Sequence, residues 1–276
     1  MKHIFYKLLS FLIRKTPVFI LYFYAFIISR LAFIFWKRRK NIAYNNLKMI
    51  YPNKDEKFYF EFIKKNFYEN GKTFFEIFKQ PDFAKFKHRI EVIGKENLDK
   101  AYKKEKGVIL FTLHHGNWEF TGSMTALLGY PIAVVQKNQK NKEFDQLLNS
   151  FREKNGMKII GRKSALKEGV KELKNGNILT IVGDQKAFTS GITVPFMGFG
   201  AKTSPLAAKL HIKYKSPIIF MTCVRTGFFK FKLEYSSEYN YNTENVEKIT
   251  TDLNKISEEI IKKHPHQWFW GHRRWE

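Results

Sequence analysis

Residues 108–119, Val-Ile-Leu-Phe-Thr-Leu-His-His-Gly-Asn-Trp-Glu, constrain the fold of this chain more than any other stretch. Val108 to Leu113 is an apolar run carrying β-branched residues, opened by Gly107, and it predicts a buried strand. Gly116 and Asn117 break the pattern, and residues 118–128 predict a helix with Asn117 as its N-cap. On one continuous helix His114 and Glu119 would lie roughly 500° apart in rotation, leaving their side chains about 140° from each other. At a strand–turn–helix corner they converge instead. A carboxylate beside an imidazole fixes its tautomer and stabilises the imidazolium that forms when the ring accepts a proton. The pair is therefore a candidate general base with its orienting acid. The competing reading is structural: His114 as a polar strand end and Glu119 as a complement to the helix dipole.

Composition narrows the setting. Lys and Arg number 49 against 25 Asp and Glu, a formal net charge of +24 in 276 residues. That excess predicts attraction to polyanions, whether nucleic acid, anionic lipid or an acidic protein. Aromatics make up 17% of the chain, with 28 phenylalanines, a content suited to contact with a bilayer. The single cysteine, Cys223, excludes an intramolecular disulfide framework and reads as a core residue.

The N-terminus is short and amphipathic through residue 15, and residues 17–36 form an apolar run interrupted by Ser29 and Arg30. That run is about long enough to cross a bilayer at roughly 1.5 Å per residue. Lys37 to Lys40 follow as a cationic cluster that favours a cytoplasmic domain beyond it. Residues 1–40 are thus expected to be a membrane anchor, either spanning or lying in the interface, with Arg30 snorkelling near an end. Residues 41–90 read as a helical lead-in, in which Glu76 is a helix-face carboxylate, and 91–276 as an α/β core. Expected strands are 108–113, 132–135, 157–160, 178–183, 217–224 and 228–235. Expected helices are 96–104, 118–128, 142–154, 164–174, 202–213 and 243–263. The alternation predicts a mostly parallel mixed sheet flanked by helices, with ligands beyond the strand C-terminal ends. His114 and Asp184 both fall at such ends.

Other motifs fail. Residues 156–164 miss a phosphate-binding loop by an inserted arginine, and no Gly-x-Ser-x-Gly elbow seats a serine nucleophile. His114, His115 and Glu119 lack a third ligand at fixed spacing, so no metal is expected. The ending, Pro265 to Trp275, sets three tryptophans beside Arg273 and Arg274. It suits either a lipid-phosphate interface or a tail folded over the core.

His114-His115-Gly116-Asn117-Trp118-Glu119 resembles the His-x4-Glu signature of the lipid A biosynthesis acyltransferases, itself related to the His-x4-Asp motif of glycerolipid acyltransferases. Asn45-Asn46-Leu47, Tyr51-Pro52, Asn70-Gly71, Glu76, Asp184-Gln185 and the Trp-Gly-His-Arg-Arg-Trp ending are similar to the same family. The resemblance implies a glycerolipid-acyltransferase-like fold and transfer of a fatty acyl chain from acyl carrier protein to a hydroxyl of a lipid A precursor bearing the sugar Kdo, at the bacterial inner membrane. No cofactor is implied. Arg152 stands where the family carries an arginine after its Asn-x-x-x-Asp segment, here Asn141 and Asp145. Gln136-Lys137 replaces the family's Tyr-Arg, a point charge in place of a fork.

Under this reading His114 is the base and Glu119 its partner, and the N–H groups of Gly116, Asn117 and Trp118, or Arg152, stabilise the oxyanion. Arg152, Lys137, Asp184, Arg273 and Arg274 are expected to bind substrate, Asp184 having a loop-holding role as its alternative. Partners are acyl carrier protein, the lipid A precursor and membrane lipids, with no nucleic acid. The rival readings are a glycerolipid acyltransferase and a non-enzymatic basic binder of membrane or nucleic acid. Aromatics confined to apolar runs, and no nucleic-acid-binding motif, disfavour the latter.

Overall fold

The computed structural model describes residues 2–136, 139, 141–187 and 191–276. Helices α1 (Lys2–Lys15), α2 (Val18–Phe35), α3 (Lys37–Ile50), α4 (Glu56–Ile77) and the short α5 (Phe83–Phe86) lead into β1 (Ile90–Ile93) and α6 (Lys95–Tyr102). Then follow β2 (Val108–Thr112), α7 (Trp118–Leu127), β3 (Ile132–Gln136), α8 (Lys142–Lys154), β4 (Met157–Gly161), α9 (Ala165–Lys174) and β5 (Ile178–Val182). A hairpin, β6 (Ile192–Phe196) and β7 (Phe199–Thr203), precedes α10 (Leu206–Tyr214), β8 (Ile218–Gly227), β9 (Lys230–Tyr235) and α11 (Val246–Lys263).

Seven strands make one sheet in the order β1-β9-β8-β2-β5-β3-β4. Every pairing in it is parallel except β8 with β9. The expected mixed, mostly parallel sheet is what forms. Because side chains alternate along a strand, Ile109 and Phe111 join one buried cluster while Val108 and Leu110 join another across the sheet. Burial on both faces explains why β2 shows no polar alternation in sequence. Two features were not expected: β1, and the β6–β7 hairpin. Residues 202–203, expected to begin a helix, pair in β7, and α10 starts only at Leu206.

The expected break at residue 40 does not divide the packing. Ile13, Leu21 and Ala25 share a cluster with Phe75 of α4, with Phe78 just beyond it, and with Leu148 and Phe151 of α8. Gly71 permits the close approach of α2 to α4, since a Cβ there would lie 3.3 Å from the Ala25 carbonyl oxygen. The outward face of α2 stays apolar and exposed, with Phe19 at 65% and Phe35 at 75%. Among the described residues, α2 is one helix long and apolar enough to cross a membrane, and it also serves as a wall of the domain.

The C-terminal aromatics turn inward. Trp268 and Trp270 are fully buried. Asn46 donates to the carbonyls of Trp270 and His272, and Asn66 to those of His266 and Trp268. The folded-tail alternative, and not the lipid-facing patch, describes this segment.

Candidate active site

Strand register brings the central residues together. Thr112 pairs with Val182 on the adjacent parallel strands β2 and β5, so His114 and Asp184, each two residues further on, emerge level with one another. His114 Nδ1 lies 2.8 Å from Asp184 Oδ1, and Trp268 Nε1 donates to Asp184 Oδ2 at 2.8 Å. The His114 side chain keeps 25% of its surface exposed, whereas Asp184 keeps 2%. Burial alone would raise the Asp184 carboxyl, but the charge and hydrogen bond of His114 and the Trp268 donor outweigh it and hold the group at about 2. An ionised Asp184 fixes the proton of His114 on Nδ1 and leaves Nε2 as the basic atom. The Trp118 ring meets the His114 ring edge-on, 5.2 Å between centroids.

Glu119 has a different partner. Arg152 Nε and Nη2 donate to its two carboxylate oxygens at 2.9 and 2.5 Å. This bidentate pair is nearly buried, and Arg152 Nη1 is engaged by Gln136 Oε1 and Asn149 Oδ1. Burial raises the Glu119 carboxyl, and the Arg152 guanidinium more than reverses it, so Glu119 stays below the usual carboxylate range. The expected His114–Glu119 pairing is thus corrected: Asp184 is the carboxylate on His114, because β5 delivers it in register whereas α7 directs Glu119 towards α8. The expectation of a substrate-binding Arg152 is corrected for the same reason, since most of its donors are spent within the protein.

The turn between them is fixed from behind. Gly116 sits at φ 60°, where a Cβ would come within 2.1 Å of the Cys223 carbonyl oxygen. Its N–H donates to Gln267 O at 3.0 Å, and the Asn117 N–H donates to Cys223 O at 2.7 Å. Those two groups are consumed by the fold and are not available to an oxyanion, which leaves Trp118 of the expected three. The Asn117 side chain caps α7 by accepting from Phe120 N–H, and its Nδ2 donates to Glu76 at 2.8 Å. Thr73 donates to the Gly116 carbonyl.

Glu76, expected to be a helix-face carboxylate, is instead 1% exposed and lies at the centre of a buried polar cluster. Arg225 donates to it twice, at 2.8 and 2.6 Å, and Tyr22 of α2 donates its hydroxyl. Arg225 also reaches Glu69 and Thr73. Neither Arg225 nor Trp268 was singled out from the sequence for these contacts. The available signal was an arginine ending the apolar run IIFMTCV and a glutamate inside FFEIF, both charges where only a paired charge can be buried.

The remaining expected residues disperse. Arg274 is fully buried, donating to Lys202 O and Thr203 and lying over the Phe196 ring, so it pins the tail to the hairpin and cannot meet substrate. Asp184 has both oxygens occupied and serves His114, not a ligand. Arg273 is half exposed and pairs with Glu276. Lys137 lies outside the described residues.

What results, at the strand ends of a parallel sheet, is an imidazole with one nitrogen held by an ionised, tryptophan-braced carboxylate and its ring partly open to solvent. Such a site suits an enzyme that takes a proton from a substrate and returns it, as group transfer to a hydroxyl requires. The chain belongs to the bacterial lipid A biosynthesis acyltransferase family, whose model matches residues 3–276. It is similar to the lipid A biosynthesis palmitoleoyltransferase of Escherichia coli (strain K12), 26% identical over 274 residues covering 95% of this chain and 87% of that relative. The lipid A biosynthesis lauroyltransferase of the same organism is 23% identical over 274 residues, covering 96% and 88%. A phosphatidylinositol mannoside acyltransferase of Mycolicibacterium smegmatis (strain ATCC 700084 / mc(2)155) is 21% identical over 154 residues, 54% of this chain and 51% of that protein. Acyl transfer in lipid A biosynthesis is accordingly the activity of its family.

Proposed function

We propose that this protein moves a fatty acyl chain from an acyl carrier protein thioester to a hydroxyl of a Kdo-bearing lipid A precursor. The observation that carries the reading is the Trp268–Asp184–His114 chain at the strand ends of a lipid A acyltransferase. His114 Nε2 takes the acceptor hydroxyl proton as the oxygen attacks the thioester carbonyl. Asp184 stabilises the imidazolium that results. The tetrahedral intermediate carries its charge on the former carbonyl oxygen. The Trp118 N–H, at the start of α7 where backbone donors have no partner within the helix, faces the developing charge together with the helix dipole. Collapse forms the ester and expels the carrier thiolate, which recovers the proton from His114. No covalent acyl-enzyme is needed. The Glu119–Arg152 pair acts as a rigid wall that sets the position of α7 against α8.

The protein works at the inner membrane with its catalytic domain on the cytoplasmic side, α1 and α2 resting in the bilayer interface through Leu8, Phe11, Leu12 and the outer face of α2, all of which are exposed. A basic surface suits an acidic carrier protein as well as a phosphorylated acceptor. The test is transfer by purified full-length protein with one acyl chain offered on acyl carrier protein or on coenzyme A, to the lipid A precursor or to lysophosphatidate. Turnover confined to the carrier thioester and the lipid A precursor is expected. Preference for lysophosphatidate would move the protein to the glycerolipid class, and no transfer to either acceptor would end the reading.

A further inference from the structure

Arg30 interrupts the apolar helix α2, and neither the catalytic chain nor the packing of α2 on α4 uses it. It lines a groove between these helices with a volume of about 450 Å³. The floor is aromatic: Phe26 and Tyr68 meet edge-on at 5.9 Å, and Phe62 lies against the ring of His266, 4.2 Å between centroids. The rim is cationic, with Arg30 over Phe26 and with Lys64 and Lys65 from α4. One carboxylate opposes them: Glu61 pairs with Lys64 at 2.6 Å. Among the described residues neither Arg30 nor Lys65 has a carboxylate within ion-pair distance, and Glu61, which also feels Arg30, is one negative charge against the three positive ones of Arg30, Lys64 and Lys65. At its inner end the His266 Nδ1 is buried with no hydrogen-bond partner among the described residues. Beside the groove α2 exposes Phe23, Ile27 and Ile34.

An ionisable residue on a lipid-facing helix is costly unless it meets a partner at the interface. An excess of cations above an aromatic floor, beside an apolar helix face, matches one chemistry: a phosphate with an acyl chain attached. We propose that this groove binds the headgroup of an anionic glycerophospholipid of the bilayer, with its phosphate on Arg30 and Lys65 and its glycerol ester region along Phe26, Phe62 and Tyr68. The His266 nitrogen is placed to bond a ligand oxygen. The lipid is a bound partner and not a substrate, because neither His114 nor Asp184 lines the groove. Its effect reaches the turn through the neighbouring residue, Gln267, whose carbonyl holds the Gly116 N–H. The proposal rests on the reading of α2 as lipid-facing.

The experiment is native mass spectrometry of full-length protein in a neutral detergent, titrated with phosphatidylglycerol or phosphatidylcholine, so that no charged surface contributes. One phosphatidylglycerol should be retained with at least about tenfold preference, a charge-assisted contact being worth roughly that much. Arg30→Gln with Lys65→Gln should abolish the preference. Lys100→Gln with Lys103→Gln, which removes the same charge from exposed positions on and just beyond α6, should leave it. Equal retention in both double variants would overturn the site and return the preference to general basicity. Displacement of the bound lipid by millimolar inorganic phosphate, or by the lipid A precursor at equimolar concentration, would also overturn it, since the occupant would then be a free anion or the acceptor. Flotation with neutral phosphatidylcholine vesicles separates the two readings. Wild type that floats but shows no headgroup preference loses only the site. Wild type that neither floats nor retains lipid loses the lipid-facing helix as well.

Discussion

The two sides of the 114–119 turn carry charges of the same kinds in opposite circumstances. On the open side, His114 has one nitrogen fixed by Asp184 and a quarter of its surface exposed. On the hidden side, Glu76 receives Arg225, Asn117 and Tyr22 and is left 1% exposed. A group that exchanges a proton with substrate needs an atom left over after its internal bonds are made. A group that holds the turn needs none left over, because an unpaired charge in that place would cost more than the turn gains. Satisfaction of hydrogen bonds, more than residue type, separates the chemistry from its support. Glu119 belongs with the support by this measure, despite its place in the motif.

Breaking the open side should give the largest effect on rate. His114→Ala is expected to lower turnover by about 10²–10⁴, the usual contribution of a general base, in a protein that still folds. Near-normal turnover in a folded His114→Ala protein would remove the mechanism. Breaking the hidden side should instead appear in stability. Glu76→Ala leaves the buried Arg225 guanidinium with only Glu69 and Thr73, unpairs the Asn117 amide and the Tyr22 hydroxyl, and is expected to cost about 3–5 kcal/mol, read by urea denaturation. Glu76→Gln, which keeps the shape and two hydrogen-bonding atoms, should cost less. If Glu76→Ala proved as stable as wild type, the two sides would not differ as described.

Third in size is Asp184→Asn. Asparagine has one oxygen, and Trp268 Nε1 requires an acceptor, so the amide nitrogen is turned towards His114. It then donates to Nδ1, the ring proton moves to Nε2, and the basic atom is lost. Turnover should fall on the order of 10²-fold, about 2.7 kcal/mol in the barrier, with KM little changed. Should Glu119→Gln cost far more turnover than Asp184→Asn, both being folded, Glu119 would regain the role of orienting acid that its sequence position suggested.

How far the sequence revealed this arrangement depended on range. The strand at 108–112, the Asn117 cap and the helix after it are local, written in consecutive residues, and they appeared where expected. His114 was legible because its place at a strand end follows from that local pattern. Its partner was not, because the choice between Glu119 and Asp184 depends on β5 lying beside β2, a pairing 70 residues distant. The Glu76–Arg225 pair spans 149 residues and was hidden for the same reason. Arg274 misled in the opposite way: next to Arg273 it reads as surface charge, and only the tail's fold over the β6–β7 hairpin shows it buried. The hairpin itself was missed because Gly191, Gly198 and Gly200 suggest a turn-rich loop, whereas Gly198 at φ 83° makes the tight turn between strands.

Mild acid should probe the packing around the tail. His115, His266 and His272 are each pushed down by burial to about 4, so the fold holds them neutral while the unfolded chain protonates them near 6.5. A folded value below the unfolded one means the unfolded state binds more protons between them. The stability these groups confer is complete above about pH 6.5 and is lost as pH falls from there towards 4. For the deeply buried His115 the slope approaches 1.4 kcal/mol per pH unit, and for the more exposed His266 it is smaller. Unfolding free energies at pH 7.5, 6 and 5 test this, and a flat profile would contradict it.

The smallest effect belongs to the arginine pair at the end of the chain, where burial separates two neighbours of the same charge. Arg274→Ala removes three hydrogen bonds, a ring contact and a buried cation, and should lower stability by about 1–3 kcal/mol. Arg273→Gln loses one exposed pair with Glu276, worth roughly 0–1 kcal/mol, and should leave the melting temperature where it was. Half of Arg273 remains exposed, so if either residue meets the phosphorylated acceptor it is this one. A KM for the acceptor raised several-fold in Arg273→Gln, at unchanged kcat and stability, would assign it to substrate. Unchanged KM would place Arg273 among the surface charges that give the chain its net +24 and no more. A loss of stability in Arg273→Gln larger than that in Arg274→Ala would mean that the burial of the tail, and with it the bracing of Asp184 by Trp268, is not as described.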